Sequence, residues 1–300
     1  NSNPIYKTKM GKPRITVLTI TARDSYLKEQ AQALNEQTLK DIEWVIVDDI
    51  YGQRKDFAKQ VKCDFPIIHI PPNEIVSYSA VGAAFNDGLV RASGEIVYPM
   101  ADYMIPTKDC LARHYEIQKR FGGAMLGGRV LKVNFPIAEL RVREGKIKGH
   151  DYRMWLFQKG YFEWKQIDDD LYEVPRAGVQ NWWAGRNESV PLEALLECNG
   201  LEEGMDGRWG GHDAELANRF MTYGLKFIID KKSIAWEFEH KSGANAAIKK
   251  YVRSEAKQQE FQHTLINKRV KDKVHRANEE WLVMLPRDLR EERKCLKSQS

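Results

Sequence analysis

The sequence predicts an α/β protein built on a mostly parallel central sheet. Short β-branched runs recur through the first hundred residues, helical stretches separate them, and acidic residues stand directly after the runs. Strands alternating with helices imply crossover connections and hence parallel pairing. In such sheets ligands bind beyond the carboxyl ends of the strands.

The elements follow in order. Residues 14–20 (RITVLTI) read as a buried strand, and 25–37 as a helix with apolar residues at Leu27, Ala31 and Leu34. Residues 44–47 (WVIV) form a second strand ending at Asp48 and Asp49, and 65–70 a third. Residues 79–92 read as a helix closed by Ser93 and Gly94. Residues 95–98 (EIVY) form a fourth strand, with Asp102 close behind it. Residues 129–182 are aromatic-rich and without clear period, and 204–211 (GMDGRWGG) form a glycine-rich loop. A helix over 214–223 and closing strands over 226–229 and 233–238 are expected. From 246 onward the chain reads as helix, broken near Pro286.

Composition narrows the class. Among the 300 residues, 42% are hydrophobic and 30% charged, enough for a sizeable core, and no apolar run suits a membrane span. Cys63, Cys110, Cys198 and Cys295 are too scattered to suggest a zinc site or disulfide framework, and the expected location is cytoplasmic. Residues 241–300 hold 15 Lys/Arg against 8 Asp/Glu, within a whole-chain charge of +5. Such a tail is either a solvated helical face or an electrostatic contact with nucleic acid or an anionic membrane.

Asp48, Asp49 and Asp102 already mark a site, because each follows a strand end. The surrounding blocks resemble the family 2 glycosyltransferases, with their GT-A fold, over residues 14–240. The opening strand and turn, 17–23 (VLTITAR), is similar to the family's I-P-T-Y-N-R. Residues 44–49 (WVIVDD) match its V-V-D-D, and 84–95 (AFNDGLVRASGE) its A-R-N-x-G-I-x-x-A-x-G-E. Residues 98–103 (YPMADY) stand where the family carries its D-x-D metal motif. Here Met100 replaces the first aspartate and Tyr103 the last, leaving Asp102. Residues 184–196 resemble the family's small-residue turn before a helix. Residues 207–215 (GRWGGHDAE) resemble W-G-G-E-D-x-(D/E) of galactosyltransferase-like GT-A enzymes, with His212 in place of glutamate.

The resemblance implies a nucleotide-sugar donor, a UDP-sugar by preference, and a site in parts. Thr21, Arg23 and Asn86 would lie with the nucleotide, Asp48 or Asp49 would accept the uracil N–H, and Gly210 and Gly211 would let backbone approach the donor sugar. Asp213 would be the catalytic base of an inverting transfer. Asp102, with Glu237 and His240 after the closing strand, would hold Mn²⁺ or Mg²⁺. Residues 241–300 would be a basic helical extension. The acceptor stays open among glycan, lipid, protein, small molecule and hydroxylated nucleic acid. Two other classes compete: a catalytically degenerate binding protein on the same fold, favoured by the thinned metal motif, and a nucleotidyltransferase, disfavoured by a first turn without glycine.

Overall fold

The computed structural model describes residues 11–73, 81–134, 137, 164–174, 186–206, 211–239, 271–272, 275–277 and 287–299. Strand β1 (Ile15–Thr21) lies between β2 (Ile42–Asp48) and β4 (Ile96–Pro99), with β3 (Ile67–Ile70) outside β2. These four pair in parallel, as the alternation of elements predicts. All seven residues of β2 are buried, the continuous run expected of a parallel strand covered on both faces.

Beyond β4 the sheet becomes mixed. Strand β9 (Glu188–Pro191) runs antiparallel to β4 and to β6 (Ala124–Lys132). β6 pairs in parallel with β10 (Lys226–Glu237), which also carries the antiparallel strands β5 (Met104–Pro106) and β8 (Leu171–Glu173). β7 (Lys165–Gln166) closes the far edge beside β8. The two predicted closing strands are one strand with a register shift between Asp230 and Ile234. Asp230 stabilises that irregularity. It is buried, and it accepts from Arg113 Nε and Nη2, both at 2.7 Å, and from Ser233 N at 2.9 Å and Oγ at 2.6 Å.

Helices cover both faces. On one, α1 (Leu27–Asn35), α3 (Phe57–Gln60) and α5 (Cys110–Phe121) pack Leu27, Phe57 and Leu111 against Ile15, Trp44 and Tyr98. On the other, α4 (Val81–Arg91), α6 (Leu192–Glu197) and α7 (His212–Tyr223) pack Leu89, Leu195 and Phe220 against Leu18, Val45 and Val97. The short helix α2 (Tyr51–Arg54) follows β2 directly.

The described part of the tail docks on the second face. Helix α8 (Leu289–Ser298) starts after Pro286, capped by Asp288, which accepts from Arg290 N and Glu291 N. Leu289 is fully buried in the core that includes α4 and α6. The chain comes so close here that a Cβ on Gly200, whose φ is +69°, would lie 2.0 Å from Asn86 Oδ1 and 2.7 Å from Leu289 Cδ1. Arg287 meets Asp87 at 2.5 Å, Glu292 at 2.7 Å and Glu203 at 3.0 Å, Arg290 pairs with Glu193 and Glu197, and Arg293 donates to the Ala92 carbonyl. These three arginines therefore face the body of the protein. No helix among the described residues is long and apolar enough to cross a membrane.

Candidate active site

Parallel pairing brings three strand ends together. Thr21 ends β1 and is in register with Asp48, which ends β2, while β4 runs out beside β1 toward Asp102. Thr21 Oγ1 donates to Asp102 Oδ2 at 2.9 Å, tying the first strand end to the fourth.

Asp48 is fully buried. Arg54 Nε reaches its Oδ2 at 2.5 Å and Arg54 Nη2 its Oδ1 at 2.9 Å. His69 Nε2 lies 2.8 Å from Oδ2, and Ile50 N donates to Oδ1 at 3.0 Å. Burial pushes this carboxyl's pKa up, but hydrogen bonds from His69 and Arg54, helped by the Arg54 charge, outweigh it and hold the pKa below its ordinary value. Asp49 differs. It is exposed, and partial enclosure, then the neighbouring Asp48 charge, raise its pKa. Of the two aspartates, Asp49 presents a carboxylate to solvent and Asp48 is structural framework.

Arg54 and His69, which hold Asp48, were not singled out by the sequence reading. Arg54 also donates through Nη2 to the Arg23 carbonyl at 3.0 Å and contacts Thr21 Oγ1 at 3.3 Å. The Tyr51 ring stands edge-on to His69, with centroids 4.8 Å apart. A basic residue in a one-turn helix after a strand-end aspartate is the only sequence signal for this pairing, and it is a weak one.

Asp102 is buried against Arg23, whose Nε and Nη2 lie 3.1 and 2.6 Å from Oδ2 and Oδ1. The same guanidinium sits 5.5 Å from the Tyr103 ring centroid. Met100, at the family's first acidic position, is buried in the core. Glu237 accepts from Arg186 Nη1 at 2.9 Å. Burial raises the Tyr103 pKa, and the charges of Arg186, Glu237, Asp102 and Arg23 all act on it, so the two ion pairs flank one ring. Thus Asp102 and Glu237 are each held by an arginine, and among the described residues no three His, Cys, Asp or Glu side chains gather as a metal cluster. Both oxygens of Asp102 are engaged, by Arg23 and Thr21, so a divalent ion at this carboxylate would have to displace the guanidinium. His240 and Gly210 lie outside the described residues.

Asp213 lies in the first turn of α7, preceded by Gly211 with φ of +94°. The residue is exposed to solvent. Desolvation raises its pKa, opposed by the His212 charge, its own backbone N–H and Arg186. The Arg186 charge acts on both Asp213 and Tyr103.

His212, read from sequence as a replaced glutamate, is buried with Nε2 3.0 Å from Asp206 Oδ1. Asp206 in turn accepts from Gly82 N and Ala83 N, both at 2.8 Å, capping α4 from across the chain. The pair anchors α7 to α4 and sets where Asp213 stands. Asn86, expected near the nucleotide, is fully buried. Its Nδ2 donates to the Leu201 carbonyl and to Glu203, and its Oδ1 accepts from Leu201 N. Its amide holds the 201–203 segment rather than facing the strand-end cluster.

No family model matches the sequence, and no curated protein matches it. Solved structures do match the fold. TarS 1–349 of S. aureus in complex with UDP-GlcNAc superposes with a TM-score of 0.56 at 12% identity, over 86% of this chain and 73% of that one. The same TarS fragment with UDP gives 0.56 at 13% identity, over 75% and 60%. GalNAc-T7 with UDP, GalNAc and Mn²⁺ gives 0.57 at 12% identity, over 89% and 55%. The chain spans 37% of the longer TarS chain it matches. At these identities the likeness concerns the fold alone, which is the GT-A fold, as the sequence resemblance implied.

Proposed function

We propose that this protein is a glycosyltransferase that moves a sugar from a UDP-sugar to an acceptor hydroxyl, acting in the cytoplasm. The observation that carries the reading is the convergence of Thr21, Arg23, Asp49 and Asp102 at the carboxyl ends of a parallel sheet. The solved neighbours that contain UDP or UDP-GlcNAc support the choice of donor.

In this reading Asp49 accepts the N–H of the base, and Arg23 and Thr21 lie at the diphosphate. Gly211, with Gly210 before it in sequence, would let backbone approach the sugar. Asp213 takes the acceptor proton as the new glycosidic C–O bond forms and the bond to the diphosphate breaks, with inversion at the anomeric carbon. Its raised pKa suits a group that must accept a proton. Asp102 would hold Mn²⁺ or Mg²⁺, with Glu237 and His240 as further ligands, and the ion would supply positive charge to the departing diphosphate. The Mn²⁺ of the GalNAc-T7 structure is consistent with that assignment.

A non-catalytic binding protein is the second reading, favoured by Met100 and Tyr103 at acidic motif positions and by the arginine closing Asp102. Incubation with a panel of nucleotide sugars and acceptors, followed by mass spectrometry, separates the two. A glycosylated product absent from the Asp213→Asn variant supports the enzyme. Nucleotide binding without product or donor hydrolysis supports the binding protein.

A further inference from the structure

We infer that Arg287, in the C-terminal extension, is a positioning residue for the donor side: through Asp87 it fixes the chain that leaves β3 at the carboxyl edge of the sheet. Nucleotide affinity then depends on the tail, a consequence that rests on the nucleotide-sugar reading, whereas the fixing of the chain does not.

Three observations carry it. The first is where the chain leaves β3. Ile70, the last residue of that strand, is in register with Val47, next to Asp48, so residues 71–73 leave the sheet at the edge where Asp48 and Asp49 stand. Ligands of such sheets bind at that edge. Asn73 is anchored there: its backbone N donates to Asp87 Oδ2 and its Nδ2 to Asp87 Oδ1, both at 2.7 Å. The second is what holds Asp87. It lies fully buried on α4, and Arg287 Nη2 meets its Oδ1 at 2.5 Å. A buried carboxylate is strongly unfavourable without a counter-ion, so Asp87 keeps its place, and its hold on Asn73, while the guanidinium is there.

The third is that Arg287 is placed independently of Asp87. Its carbonyl accepts from Nδ2 of the buried Asn199 at 2.7 Å, and Leu289 N donates to Asn199 Oδ1 at 3.1 Å. Its Nη1 reaches Glu203 at 3.0 Å and its Nε reaches Glu292 at 2.7 Å. The planar fork is therefore presented to Asp87 in a set orientation, which an ammonium would not reproduce. Arg293 offers a charge-matched comparison. It comes from the same tail but donates to the Ala92 carbonyl, at the opposite end of α4 from Asn73.

Amide exchange of Asn73 followed by NMR, without nucleotide, and calorimetry with UDP test this on the full chain. Arg287→Gln should speed exchange of the Asn73 amide about tenfold and weaken UDP binding by a similar factor. Arg293→Gln, which removes the same charge from the same tail, should change neither by more than about twofold. Arg287→Lys, keeping the charge without the fork, should fall between wild type and Arg287→Gln, and it carries the test if the Gln variant does not fold. Wild-type Asn73 exchange in either Arg287 variant, or exchange quickened as much by Arg293→Gln, overturns the inference. Faster exchange with unchanged UDP affinity overturns its donor-side consequence. Absence of UDP binding to wild type overturns the nucleotide reading itself, while Asn73 exchange still judges Arg287.

Discussion

Two parts of the candidate site use the same chemical group in opposite ways. On the strand-end side, Asp48 and Asp102 are buried, and each is gripped by an arginine. On the helix side, Asp213 is exposed in the first turn of α7, and the charges of His212 and Arg186 act on it. Burial favours a neutral carboxyl everywhere. At Asp48 the hydrogen bonds win and the pKa falls, and at Asp213 the desolvation wins and the pKa rises. In the proposed reading, this contrast separates carboxylates fixed in the framework of the strand ends from one that would change charge during the reaction.

Asp213→Asn should give the largest effect that breaks this comparison. The amide cannot accept the acceptor proton, so kcat should drop about 10²- to 10⁴-fold while donor affinity stays within error. Steady-state kinetics paired with calorimetry reads both.

Stability should respond on the other side. Arg54→Ala leaves the buried Asp48 charge with fewer partners and should cost roughly 3 kcal/mol, seen as a lower midpoint in urea. Leu289→Ala, remote from the strand ends, should cost about as much by opening a cavity under α4, which would show that the tail is part of the fold. Asp206→Ala, which uncaps α4 and frees His212, should cost about 1 to 2 kcal/mol.

A smaller effect lies in the pH dependence. Asp48 has a lowered folded-state pKa, so the stability it contributes is fully present above the unfolded carboxyl value and is lost as pH falls through the folded one. Asp213 has a raised pKa, so its ionisation costs stability above that value, and Asp213→Asn should slightly raise the neutral-pH unfolding midpoint. Urea denaturation from pH 3 to 8 checks both signs. A neutral-pH midpoint for Asp213→Asn below that of wild type would contradict the second.

The parallel half of the sheet was legible because its strands are buried on both faces, so runs such as WVIV in β2 need no partner to be recognised. The mixed half was not. β6 carries two consecutive glycines and β9 holds only four residues, and neither presents a period of its own. The closing strand was split in two because Asp230 and the two lysines after it look like a turn, whereas Asp230 is buried on Arg113 and bridges a register shift. Within the site, positions followed from strand ends but pairings did not. Nothing local in the sequence says that Arg54 folds back six residues to Asp48, or that His212 reaches Asp206 to fasten two helices. Asn86 was drawn toward the nucleotide by its motif, although its carboxamide is spent on the Leu201 backbone. The basic tail shows the same limit. Its charge is plain in the sequence, but Arg287, Arg290 and Arg293 spend theirs on Asp87, Glu193, Glu197, Glu203, Glu292 and the Ala92 carbonyl.

The division of labour between the strand ends and α7 is tested most directly by titrating UDP, with Mn²⁺ present, into wild type, Asp102→Ala and Asp213→Asn by calorimetry. UDP should bind the wild type and Asp213→Asn with the same affinity, and Asp102→Ala at least about tenfold more weakly. Equal binding by wild type and Asp102→Ala, or an affinity lost in Asp213→Asn as much as in Asp102→Ala, would contradict the assignment of the strand ends to the donor and of α7 to the acceptor.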